Sequence, residues 1–308
     1  MPAGAKEYIK ASIARVRIYC SRVRETLCPM REKPATPFET HGYLSDEIDG
    51  FRTVVRTRAP YKEWFDFAQE LNLFGSIAIR AFTFDQTNTQ RMTISALFIR
   101  SHQSVQAAMV LIERGMIADA RTVLRTLVEG TIAQIALAAD AGVIDQLVAA
   151  HRKHQLTVCR EMLADEKYCE QLSQAQIAQL EATVSEMELL KGVPGKEPRQ
   201  INWADLAKKH CAELYLLLYR PLSSDGTHTT IDSINRHLEA DDELRITGLK
   251  GGPELTDVAD TLNITCLSFI WALNSFEEMR GTDGQQVQSF LRKFKELSND
   301  QPIQLKIG

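Results

Sequence analysis

Apolar residues recur three and four positions apart along most of the chain, and alternation at period two is absent, so the pattern predicts helices and no sheet. The clearest unit spans 93–140. Its first arm sets Phe98, His102, Val105, Met109 and Ile112 on one face, with Leu97, Arg100 or Ser101, Ser104 and Ala108 on another. A break is expected at Glu113-Arg114-Gly115, where glycine can take the left-handed conformation that ends a helix. The second arm aligns Ile117, Ala120, Leu124, Leu127, Thr131 and Ile135, while Arg121, Arg125 and Glu129 repeat every four residues beside them. A histidine in one apolar face and an Arg/Glu row bordering the other point to a buried polar site inside a helical bundle.

The same periodicity assigns the remaining elements. An amphipathic helix is expected over 6–27, with Ile9, Ile13, Val16, Cys20, Val23 and Leu27 on one face. Four prolines and two glycines make 28–60 a connector, with one short helical turn at 46–51. A helix over 61–82 carries Trp64, Phe67, Ala68, Leu71, Phe74 and Ile77 as its buried stripe. In the helix that follows Gly142, His151 and His154 fall on a stripe with Ile144, Leu147, Val158 and Met162. Helices are further expected over 171–191 and 203–219, then a Pro/Gly break at 219–228, and a helix with His228, Ile231, Ile234 and Leu238 on one side. A strongly apolar helix over 255–279 and a short charged one end the pattern. The expected architecture is an all-α bundle of long antiparallel helices with an N-terminal amphipathic helix. Its parts are a basic helix at 1–33, a Pro-containing linker at 34–60, the bundle domain at 61–281, and a short helix and tail at 282–308.

Charge refines this picture. The whole chain has a formal net charge of -4, which argues against a protein that coats nucleic acid over its entire surface. Residues 1–33, however, hold eight Lys/Arg against three Glu, and Lys10, Arg17 and Arg24 recur every seven residues. That row is a candidate phosphate- or partner-binding face; a solvated face on a packed helix is the plainer reading. Six cysteines lack CxxC or metal-finger spacing, as in reduced cytosolic proteins. No run is apolar enough for long enough to span a bilayer, so a soluble, cytoplasmic protein without a membrane partner is expected.

The motifs of the commonest enzymes are missing. The chain has no GxxxxGK[ST], no GxSxG, no HExxH and no Glu-x-x-His pair, and no cofactor is implied. What remains is a group of polar residues set in helical stripes: His102, Arg125, Glu129, His151 and His154, together with the segment from Arg220 to His228. Burying such groups costs a few kcal/mol each unless they are paired, so they are expected to meet one another or line a cavity. Three chemistries fit. A metal could be held by the histidines with Glu129, although only one i,i+3 histidine pair is present. A phosphodiester could be cleaved with His228 as general acid or base, Arg220 steadying phosphorane-like charge, and Ser223 or Ser224 orienting the phosphate. Alternatively, the group could be a polar network that fixes helix register in a non-catalytic interaction or oligomerisation protein.

Several of these residues carry a resemblance. The run Arg100-Ser101-His102-Gln103-Ser104, then Gly115, Asp119-Ala120-Arg121 and Leu124-Arg125-Thr126-Leu127-Val128-Glu129, with His151, Tyr219, Ser223 or Ser224 and His228 downstream, resembles the bacterial domain of unknown function fifty-six seventy-seven over about 70–280. That resemblance implies an all-helical fold and no established activity. The segment from Arg220 to His228 is also similar to the Arg-x(4-6)-His motif of HEPN ribonucleases, though seven residues separate the pair here and Pro221 follows the arginine directly. The second resemblance implies a metal-independent ribonuclease with a toxin or phage-defence role, a homodimer whose two motifs share one site, Arg220 and His228 as the catalytic pair, and RNA as the partner.

Overall fold

The computed structural model describes residues 41–58, 61–83, 86–225, 230–242 and 245–299. The helix expected over 6–27 lies outside them, with Lys10, Arg17 and Arg24. The chain divides into two compact units, 1–48 and 49–308. In the first, the described residues form a 3-10 turn at Gly42–Leu44, closed by a 3.0 Å bond from Ser45 N–H to Gly42 O. Helix α1 (Ile48–Thr57) begins at the boundary and lies almost wholly in the second unit. It occupies part of the stretch expected to be a connector and is longer than the single turn foreseen there.

The second unit is a helical bundle. Helices α2 (Tyr61–Arg80), α3 (Thr89–Glu113) and α4 (Ile117–Ala139) follow in order. The turn between α3 and α4 is the one the sequence predicts. Gly115 has φ +73°, its N–H bonds to Ile112 O at 3.0 Å, and Met116 N–H reaches back to Leu111 O at 3.0 Å, which is the Schellman arrangement. The helix α11 (Val258–Arg280) packs on α2, α3 and α4 together. Phe98 of α3 stacks on Phe276 of α11 at 4.1 Å and on Phe269 at 5.7 Å, and Gln134 of α4 donates to Ala272 O at 2.7 Å. Among the described residues α4 alone is long and apolar enough to cross a bilayer by composition. Its apolarity is accounted for by its central place, packed against α3, α11 and the segment Leu214–Tyr219.

Beyond α4, α5 (Val143–Ala164) and α7 (Gln174–Leu189), with the four-residue α6 (Glu166–Cys169) between them, form a hairpin. A two-helix hairpin has little interior, and the residues it buries are Val143, Ala149, Leu156, Cys159 and Met187. His151 and His154 face solvent instead of joining the apolar stripe. Likewise Ile77 of α2 is exposed, whereas Trp64, Phe67, Ala68 and Leu71 are buried as expected.

Four other expectations need correction. The helix foreseen over 203–219 is two elements: α8 (Trp203–His210), then a break at Cys211 and a π-helical segment, Leu214–Tyr219. The break expected after Tyr219 is itself helical at its start, α9 (Arg220–Asp225), which continues directly from the π segment. The next helix, α10 (Ile231–Asn235), stops before Leu238, which instead opens a two-stranded antiparallel hairpin of β1 (Leu238–Ala240) and β2 (Ile246–Leu249). Strands of three and four residues, mostly exposed, are too short to display alternation. Finally, α12 (Gln285–Asn299) belongs to the core: Val287, Phe290 and Phe294 are buried, with Phe294 edge-on to Trp64 at 5.6 Å.

Candidate functional site

The residues that come together are contributed by α4, the π segment and α9. α8, the π segment and α9 pack along α4, from Lys209 beside Asp140 at its C-terminal end back towards Arg125 in its middle. A π turn spends an extra residue per turn, and here Arg220 N–H bonds to Tyr215 O, five residues back. Tyr219 is thereby set over α4, with its ring stacked on Tyr215 at 5.1 Å.

Arg125 is the hub. Its Nη2 donates to Tyr219 Oη at 2.6 Å and lies 3.2 Å from Glu129 Oε1, its Nε donates to Ser223 Oγ at 3.1 Å, and its guanidinium carbon is 4.8 Å from the centre of the Tyr219 ring. The loop of bonds closes because Tyr219 Oη donates to Glu129 Oε1 at 2.8 Å and Ser223 Oγ donates to Tyr219 O at 2.9 Å. Burial pushes the Tyr219 phenol up to about 12, reinforced by the Glu129 carboxylate that accepts its proton, so it stays protonated at neutral pH. Tyr219 is 7% exposed, but the side chains of Arg125 and Glu129 keep 20% and 21% of their surface. Among the described residues Arg125 Nη1 has no hydrogen-bond partner, which leaves two N–H donors for an anion at the rim of a fixed cationic group.

The other singled-out residues are dispersed. His102 is in the core, where Nε2 lies 3.1 Å from Asn72 O and 3.4 Å from Ser76 Oγ, and its ring stacks on Phe269. Burial lowers its basicity, partly offset by the bond to Asn72. With His151 and His154 exposed on α5, no three His, Cys, Asp or Glu side chains among the described residues converge as metal ligands. Arg220 is exposed at the first position of α9. His228 and the side chain of Ser224 lie outside what is described.

Tyr219 is the member that residue patterns alone do not single out. Only its place in the family resemblance marked it, since a tyrosine in the run Leu214-Tyr215-Leu216-Leu217-Leu218-Tyr219 reads as core. Arg121, in the same row as Arg125, turns to a different partner, Asp260 of α11, at 3.3 Å.

A cleft of about 310 Å³ opens further along the same side of α4, lined by Gln146, Arg199, Asn202, Lys209 and His210 among others. Lys209 is tethered there to Asp140 at 3.1 Å.

No curated protein and no solved structure matches the chain. The profile of a family of unknown function, DUF5677, matches residues 91–245, half of the chain, a narrower stretch than the 70–280 expected. The match runs from the start of α3 to the edge of β2 and so contains Arg125, Glu129, Tyr219 and Ser223. On that match, the chain is a member of the DUF5677 family.

Proposed function

We propose that this protein is a metal-independent ribonuclease in which Arg125, held by Glu129, Tyr219 and Ser223, acts with Arg220 and with His228, the last of which lies outside the described residues. One observation carries the reading: Tyr219, just before Arg220, and Ser223, three residues after it, are both tied to Arg125. A half-buried, hydrogen-bonded arginine with one nitrogen still free is suited to a phosphodiester, because its charge is already oriented before the substrate arrives. The cleft supports the same reading by offering Arg199 to a neighbouring stretch of strand, Lys209 there being paired with Asp140.

RNA carries its own nucleophile. The 2′-oxygen attacks the adjacent phosphorus, a 2′-O–P bond forms and the P–O5′ bond breaks. The 2′-proton passes to the His228 imidazole, the departing 5′-oxygen takes a proton from solvent, and the products are a 2′,3′-cyclic phosphate and a 5′-hydroxyl. Arg220 and the free nitrogen of Arg125 neutralise the charge that builds on the phosphoryl oxygens. Tyr219 and Glu129 are positioning residues that hold Arg125 in place; a phenol with a pKa of about 12 is no base at neutral pH.

The test is incubation of the full chain with single-stranded RNA in excess chelator, with product ends identified by mass spectrometry. The expected result is cyclic-phosphate ends, with His228→Ala and Arg220→Ala each slower by at least about a hundredfold. Undiminished cleavage by His228→Ala, or none by the wild-type chain, overturns the assignment.

A further inference from the structure

Helix α3 turns a second face away from the core. Along 25 residues it exposes Ala96, Ile99, Gln103, Gln106 and Val110, spaced by three and four, with Ala107 beside them. Ile99 is 42% exposed and Val110 54%. Spacings that alternate three and four are those of a helix seam, and this one contains no charge across four turns. Surface helices of monomers ordinarily turn charged residues outward along such a line. On the flanking α2, Leu73 and Ile77 are exposed as well, next to the Asn72 and Ser76 that face α3.

We infer that this face is a self-association surface, on which two copies pair their α3 helices antiparallel about a two-fold axis through Gln103. The occupant is argued from the order of residues about that point. A two-fold through residue 103 sets Ile99 opposite Ala107 of the second copy and Ala96 opposite Val110, so each large apolar side chain meets an alanine. Arg100, exposed at one edge of the stripe, comes opposite Gln106. In each chain Gln106 Nε2 donates to Asn72 Oδ1 at 2.9 Å, which leaves the amide oxygen of Gln106 as the acceptor for that arginine. Gln103 meets Gln103, and one polar pair at the centre of an apolar seam fixes register, as buried polar positions do in coiled coils. A parallel or shifted pairing would lose both the large-to-small match and the Arg100–Gln106 contact. The surface is separate from the proposed ribonuclease site and does not depend on it.

The test uses the full-length chain carrying single cysteine substitutions. Gln103→Cys lies on the axis and is expected to form an intermolecular disulfide under mild oxidant well beyond any formed by the wild-type chain with its native cysteines. Ala96→Cys stands about 20 Å from its own copy in this pairing and should stay at the wild-type level. Light scattering over a concentration series should show a dimer, and Ile99→Glu should raise its dissociation constant at least about tenfold with circular dichroism unchanged. A chain that is monomeric throughout, or Ala96→Cys cross-linking as readily as Gln103→Cys, overturns the inference. Indifference of the dimer to Ile99→Glu does the same.

Discussion

At Gly75 a hydrogen stands where a Cβ would come within 2.8 Å of the Phe269 ring and 3.0 Å of the His102 ring, so this residue sets how closely α2 approaches α11. Gly75→Ala gains roughly 1 kcal/mol of helix propensity but must push aromatic groups apart in a filled core, at about 1–3 kcal/mol. Urea denaturation should show a net loss of stability. His102, in contact with the same spot, couples folding to pH. Its basicity is lowered in the folded state, chiefly by burial, so the unfolded chain binds the proton more readily. The stability it contributes is present above the ordinary histidine range and is lost as pH falls below about 6.5 towards its folded value. His102→Gln should flatten that acid limb in stability measured against pH. Burial of His102 was legible from its place on an apolar face, but its partner Asn72, thirty residues earlier in the chain, was not.

Elements differ in how openly they announce themselves. The α3–α4 turn could be read from Gly115 alone, because positive φ is a local demand that glycine meets without strain. What could not be read is the crowding there: an added Cβ would lie 2.7 Å from Glu254 N and from Pro253 Cβ, while Gly115 O accepts from Glu254 N–H at 3.0 Å. Gly115→Ala is expected to cost at least about 2 kcal/mol, more than the left-handed backbone alone demands, read as a lowered midpoint in thermal unfolding. Helix α1 is latched to the same corner, since Arg52 and Arg56 both donate to the buried carboxylate of Glu113. Glu113→Gln should quicken amide exchange in α1 while leaving α11 protected. The π segment left no trace in the sequence, because its six residues are as apolar as any core helix and its register depends on the neighbouring Pro221 and on contacts with α4.

For the molecule as a whole, periodicity was enough to establish a helical bundle, since α2, α3, α4 and α11 each bury the stripe that packs on their neighbours. The site was only half visible. Arg125 and Glu129 stood out as a row, but grouping them with His102, His151 and His154 assumed that polar residues on apolar stripes share one cavity. The bundle separates them: His102 faces α2, the α5 histidines face solvent, and the row is completed by Tyr219 and Ser223, about ninety to a hundred residues further along. In the proposed ribonuclease this completed row works on RNA and is more than a clasp between helices. That role is tested most directly by the cleavage rate of Arg125→Met, measured on single-stranded RNA in chelator beside the wild type and Arg125→Lys, with circular dichroism as the check on folding. The expected result is cleavage by the wild type, at least about tenfold slower cleavage by Arg125→Met with the fold intact, and partial recovery in Arg125→Lys, which keeps the charge but loses the fork. Equal rates in the wild type and Arg125→Met would contradict it.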